Sequence, residues 1–184
     1  MRYYESMEPY EVTRQKYKPD RIKVLFIAES QPPAAGVTSS RQFYRTDQVY
    51  PGDRLFVNTI KALYKEASEQ TEKEIETKKS YWLDRFSSDG YYMIEALDES
   101  LAHEITKQER QEKIRSAIPA LLKKVHDLAI KNMKIILIKS NVFEVAAQPL
   151  RDAGYIVLNH ELVDYPGQYN QRAYREKIRD LLSL

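Results

Sequence analysis

The strongest constraint on this chain is the apolar run Ile22–Ala28, IKVLFIA, which passes without a linker into Glu29-Ser30-Gln31 and then Pro32-Pro33. An apolar run of this length closed by proline reads as a buried strand. Polar side chains at the C-terminal end of such a strand stand at the mouth of an α/β sheet, where ligands of these folds bind. The two prolines fix φ and remove backbone donors, so the exit loop is expected to be stiff and to hold its neighbours in place.

Three further strands follow from the same logic. Tyr91–Ile94 comes after the turn signal Asp89-Gly90, Lys134–Ile138 is flanked by charges, and Tyr155–Leu158 follows Gly154. Between them the apolar residues recur at helical spacing. Leu55, Phe56, Ile60, Leu63 and Tyr64 mark one helix, and Ile114, Ile118, Leu121, Leu122, Val125 and Leu128 a second. Tyr174, Ile178, Leu181 and Leu182 mark a third. Thr71-x-x-Glu74 and Thr106-x-x-Glu109 have capping-box spacing, the first opening a helix to about Phe86. Pro119 is expected to divide the helix that contains it, and Pro149 to interrupt a short helix for which Asn141 is the N-cap. Nearly all-apolar strands alternating with helices predict a three-layer α/β/α sandwich around a central, mostly parallel four-stranded sheet. Residues 1–20 read as a polar, tyrosine-bearing lead-in lying across the surface of a single domain at 21–184.

Composition narrows the function. A chain of 184 residues can bury a proper core, and its 29 basic and 27 acidic residues leave a net charge of +2. That balance excludes a general nucleic-acid sponge but permits a local basic groove. No run is long enough to span a membrane and no apolar signal core opens the chain, so a cytoplasmic location without membrane contact is expected. With no cysteine there is no disulfide, thiolate metal site or iron–sulfur cluster. The five glycines give no phosphate-cradling loop, and His103, His126 and His160 lack metal-ligand spacing. No metal and no cofactor are expected. The 14 tyrosines suit both half-buried surfaces and base stacking, with packing at the core margin the commoner use.

The candidate functional residues follow the strands: Glu29-Ser30-Gln31, then Glu95, then Lys139-Ser140-Asn141, then His160 to Gln168. In a parallel sheet these ends lie along one edge and converge. Each has a plain alternative. Either glutamate can face solvent, Asn141 can serve only as a cap, and Pro166-Gly167 can be only a turn. The long stretch from Glu29 to Asp53 carries Phe43-Tyr44, and ordered loops of that length are usually functional.

The order AESQPP, FY, LFVNTIKALY, GYYMIEAL, IILIKSN and YIVLNHELVDYPGQYNQRAYREKI resembles the uracil-DNA glycosylase superfamily over about residues 21–184. The resemblance implies an α/β/α fold and binding of DNA or a free nucleobase or nucleotide. It further implies hydrolysis of the N-glycosidic bond of a damaged base. In that family a G-[EQ]-x-P motif after the first strand positions the attacking water, which here falls to Glu29 or Gln31. An aromatic that stacks on the extruded base corresponds to Phe43, with Tyr44 and Ser30 beside it. The base-reading Asn of the second strand corresponds to Glu95, and Asn141 follows the third strand. The H-P-S loop corresponds to Tyr165-Pro166-Gly167 with Gln168, and His160 or Tyr165 would stabilise charge on the leaving base.

Besides this Tyr-Pro-Gly in place of His-Pro-Ser, the sequence departs from the family pattern in three places. Ala28 replaces the usual Gly, Gln31 precedes the proline where an acid or Asn is common, and an ionised Glu95 offers only acceptors. Such a carboxylate cannot satisfy a carbonyl of uracil, though it accepts from an amino group. A non-catalytic small-molecule or protein-binding module on the same fold is the alternative, since fold alone does not establish activity.

Overall fold

The computed structural model describes residues 9–31, 42–46, 52–102 and 104–184. Pro32, Pro33, Gly36 and His103 lie outside them. Four strands, β1 (Val24–Ala28), β2 (Tyr91–Glu95), β3 (Lys134–Leu137) and β4 (Ile156–Val157), form one sheet in the order β2-β1-β3-β4. All pairings are parallel, with Val24 opposite both Tyr91 and Lys134, and Lys134 opposite Ile156. β1 is buried along its whole length, as an apolar strand flanked on both edges and covered on both faces must be.

Two helix pairs make the outer layers of the α/β/α sandwich. α2 (Arg54–Leu63) packs on α8 (Gln171–Leu182), with Thr59 Oγ1 and Tyr174 Oη 2.8 Å apart and Arg175 donating to Asn58 Oδ1 at 2.6 Å. α6 (Lys107–Leu128) packs on α7 (Ser140–Asp152), where Lys107 Nζ reaches Glu144 at 3.0 Å. α3 (Lys65–Ser68), α4 (Glu72–Thr77) and α5 (Lys79–Ser88) connect α2 to β2.

Both capping boxes form at their expected positions, Thr71 with Glu74 and Thr106 with Glu109. The first opens two short helices rather than one, broken at Lys78, whose N–H is shared between Glu74 and Ile75 carbonyls. α6 is continuous through Pro119, because the proline and Arg115 four residues earlier both face solvent and water can satisfy the freed carbonyl. α7 likewise runs through Pro149.

The lead-in is more than a surface segment. Its described part is a helix, α1 (Pro9–Lys16), which buries Tyr10 and Arg14, with Tyr17 buried just beyond it. Tyr17 stacks on Tyr44, and Tyr44 Oη accepts from Met93 N at 2.7 Å, closing the open edge of β2. Covering an edge in this way blunts it against pairing with another chain. At the far edge Asn159, fully buried, donates to Leu137 O at 3.1 Å and accepts from Leu137 N at 3.0 Å. One side chain thereby replaces the next rung of the ladder, and β4 ends after two residues.

Phe43 is 4 % exposed, with Phe56, Phe86 and Tyr44 rings centred 5.0–5.4 Å away. It therefore packs the return of the long loop onto the core. Phe43→Ala is expected to cost about 3–5 kcal/mol, the range for truncating a buried aromatic. Urea unfolding of the two proteins checks this, and a loss below about 1 kcal/mol would place the ring outside the core.

Candidate functional site

β1 delivers Glu29 to the C-terminal edge of the sheet. The Glu29 carbonyl accepts from Leu97 N at 3.0 Å, which extends the β1–β2 ladder past the strand and fixes the residue's direction. The carboxylate is 5 % exposed and is met by three donors, one each from the end of β3, α7 and α6. Asn141 Nδ2 donates to Oε1 at 2.7 Å, Arg110 Nη1 donates to Oε2 at 3.1 Å, and Lys139 Nζ pairs with the same Oε2. A carboxylate buried this deeply needs such partners, since an unpaired buried charge is costly.

The partners are themselves held. Lys139 N donates to Val163 O at 2.8 Å, and Lys139 O accepts from Phe143 N at 3.1 Å as α7 begins. Arg110 Nη2 donates to Ala102 O at 2.9 Å. Lys139 occupies φ +80, ψ 141, a backbone region that side chains other than glycine rarely adopt. Asn141 is not the cap of α7. Lys139 holds the cap position and gives no side-chain capping bond, while Asn141 sits in the first turn with its amide turned to Glu29. Its Oδ1 is buried without a hydrogen-bond partner among the described residues.

Of the residues expected at this edge, the structure brings Glu29 and Asn141 into direct contact. Gln31 and Ser30 follow Glu29 and are partly exposed, and Gln31 Oε1 accepts from Gln42 Nε2 at 3.3 Å. Glu95 turns elsewhere. Its carboxylate accepts from Tyr10 Oη at 2.7 Å and from Arg14 Nη1 at 3.0 Å, so it fastens α1 to the end of β2. Phe43 and Tyr44 are core residues whose faces are covered by other rings. His160 is exposed and makes no hydrogen bond among the described residues. Tyr165, Gly167 and Gln168 lie on the β4–α8 loop, joined to the site through Val163; Gly167 N donates to Tyr165 O at 2.7 Å across Pro166.

Two signals were missed in the sequence. Arg110 completes the carboxylate's shell beside the expected Lys139, and nothing in its local pattern distinguishes it from other surface cations. Tyr169, 90 % exposed on the β4–α8 loop that also exposes Tyr165, presents an aromatic ring to solvent. Among the described residues no group of acidic and histidine side chains is arranged to hold a metal ion. Comparison with protein-family models, with curated proteins and with solved structures finds no match, so the site rests on its own chemistry.

Burial lifts the Glu95 carboxyl above its ordinary value of 4.5, while Arg14 and the Tyr10 hydroxyl pull it back down. The native state thus holds this proton more tightly than the unfolded chain. The contribution to stability is fully present below the unfolded pKa and is lost as pH rises through the native one. Relative to Glu95→Gln, which stays neutral, the wild-type protein is expected to lose stability as pH rises above the ordinary carboxylate value of 4.5 and through the raised native one. Denaturant unfolding across that range checks the sign, and a wild-type advantage that grows with pH would refute it.

Proposed function

We propose that this chain is a divergent uracil-DNA glycosylase-like protein that binds a nucleobase or nucleic acid at the C-terminal edge of its sheet. The observation that carries the reading is Asn141. Its amide is oriented by Glu29 at 2.7 Å, and its buried Oδ1 lacks a partner among the described residues. A buried acceptor left unpaired costs roughly 1–3 kcal/mol, which an incoming N–H recovers. The edge of a nucleobase supplies such a donor. Lys139 and Arg110 together outnumber Glu29 by one positive charge, which favours a ligand that also carries phosphate. Tyr169 offers an exposed face for stacking, a role that the burial of Phe43 leaves open.

Base excision is the enzymatic form of this reading. Glu29 accepts three donors out of about four lone-pair sites, so it suits orienting one water rather than moving far. Gln31 stands two residues on as the second water-positioning group, with His160 or Tyr165 as donor to the departing base. The second reading, a binding module without excision, is favoured by the packed environment of Phe43 and the net charge of +2.

The test is an excision assay on single- and double-stranded oligonucleotides bearing uracil, hypoxanthine or xanthine, run beside anisotropy binding of the same strands. Asn141→Ala is expected to weaken binding by about 1–3 kcal/mol, the penalty range for an unmade buried hydrogen bond. Tyr169→Ala should cost a similar amount through lost stacking. Binding without cleavage selects the second reading. No binding at low salt by any strand or free base overturns both.

A further inference from the structure

We propose a second binding site, for the phosphate chain of a nucleotide or nucleic acid strand, at the opposite pole of the sheet. A cavity of about 400 Å³ opens at the N-terminal ends of β1, β2 and β3, rimmed by Arg21, Lys23, Lys131 and Lys134. Tyr91 and Leu182 supply its apolar wall. An adjoining hollow of about 350 Å³ shares Arg21 and Lys23 and adds Lys18 and Asp20, whose charges offset each other. The volume matches the smaller end of known ligand pockets.

The four rim cations are exposed, and none makes an ion pair or side-chain hydrogen bond among the described residues. Several exposed cations elsewhere are paired, as in Lys113–Glu99, Arg115–Glu112, Lys123–Asp127 and Arg172–Glu176, but no other cavity rim gathers four without a partner among the described residues. The one carboxylate lining the cavity, Asp89, is turned away: its Oδ2 accepts from Tyr64 Oη at 3.0 Å and lies 3.9 Å from Arg85. The carbonyl ends of α5, α6 and α8 reach this pole and carry roughly half a negative charge each. Even after those and Asp89 are counted, a surplus of roughly one to two positive charges remains. Unpaired like charges held together repel, and a polyanion relieves that repulsion.

The cations are also preorganised. Lys23 N donates to Gly90 O at 2.7 Å and Lys134 N to Lys23 O at 2.9 Å, so both sit on rigid strand starts. Gly90, at φ +87, leaves room for the Lys23 stem; a Cβ there would lie 2.8 Å from Lys23 Cγ. β1 separates this cavity from Glu29 by its own length, about 17 Å at the usual rise per residue. The two sites are therefore independent.

The test uses three probes on the full chain: tripolyphosphate, adenosine triphosphate and a labelled twelve-nucleotide single strand. Each is titrated against wild type, Lys23→Glu/Lys134→Glu and Lys73→Glu. Saturable binding weakened at least tenfold by the double reversal and unchanged in Lys73→Glu, a charge reversal at an exposed position on α4 away from both sites, is the expected result. Binding of both small probes but not the strand identifies free nucleotide as the source, and binding of all three identifies the phosphate chain wherever it occurs. Lys131→Glu, at the turn before β3, repeats the loss should the double variant misfold. Overturning results are no saturable binding of any probe, or binding that the charge reversals leave intact.

Discussion

A strand buried on both faces and paired on both edges leaves its chain no water at all until it ends. β1 is such a strand, and the first polar side chain after it, Glu29, emerges where the neighbouring strands and helices also converge. The burial that makes β1 a good core element makes Glu29 an expensive residue unless donors are brought to it. Lys139 comes from the end of β3, Asn141 from the first turn of α7 and Arg110 from α6. The candidate site is in this sense a consequence of the central strand: the sheet puts a carboxylate in a dry place, and three elements are fixed by having to answer it.

The outer strands meet the same requirement with polar side chains instead of further strands. Tyr44 takes the Met93 N–H that no strand claims, and Asn159 takes both polar groups of Leu137. Glu95 and Arg14 then tie α1 over the β2 side with a buried ion pair. Buried pairs of this kind add little net stability over an apolar contact, yet removing one partner is severe. The role of Glu95 is accordingly one of specificity for the docked position of α1.

The strands and most helices were legible because their signals are local. A continuous apolar run such as LFIA, a Thr-x-x-Glu cap and a 3.6-residue stripe each act within a few residues. The sequence also placed Glu29 and Asn141 at one edge of the sheet, since both follow strands, and the two do meet. What local patterns do not carry is the direction of a side chain chosen by distant partners. Glu95 resembles Glu29 in position but turns to α1, because Arg14 and Tyr10 lie on that side. Phe43 sits in a long loop, yet Phe56 and Phe86 draw it into the core. Asn141 reads as a cap, and only the presence of Glu29 across the edge shows why it is not one. The prolines misled for a related reason: their cost depends on whether the freed carbonyl faces water, which residue spacing alone does not reveal.

Lys139 shows where these constraints meet. Its backbone conformation costs on the order of 1–3 kcal/mol for a residue with a side chain, and glycine would adopt it freely. The surrounding bonds, Lys139 N to Val163 O and Phe143 N to Lys139 O, force the turn whatever residue occupies it. A chain under selection for stability alone therefore gains by placing glycine there. Lysine in that place is intelligible through its ammonium, which the strained turn aims at Glu29 while leaving about a third of the side chain open to solvent. A group held at such cost between a buried carboxylate and water is positioned to meet a second anion arriving from outside. That makes Lys139 the residue that joins the structural requirement of Glu29 to the ligand chemistry proposed for this edge.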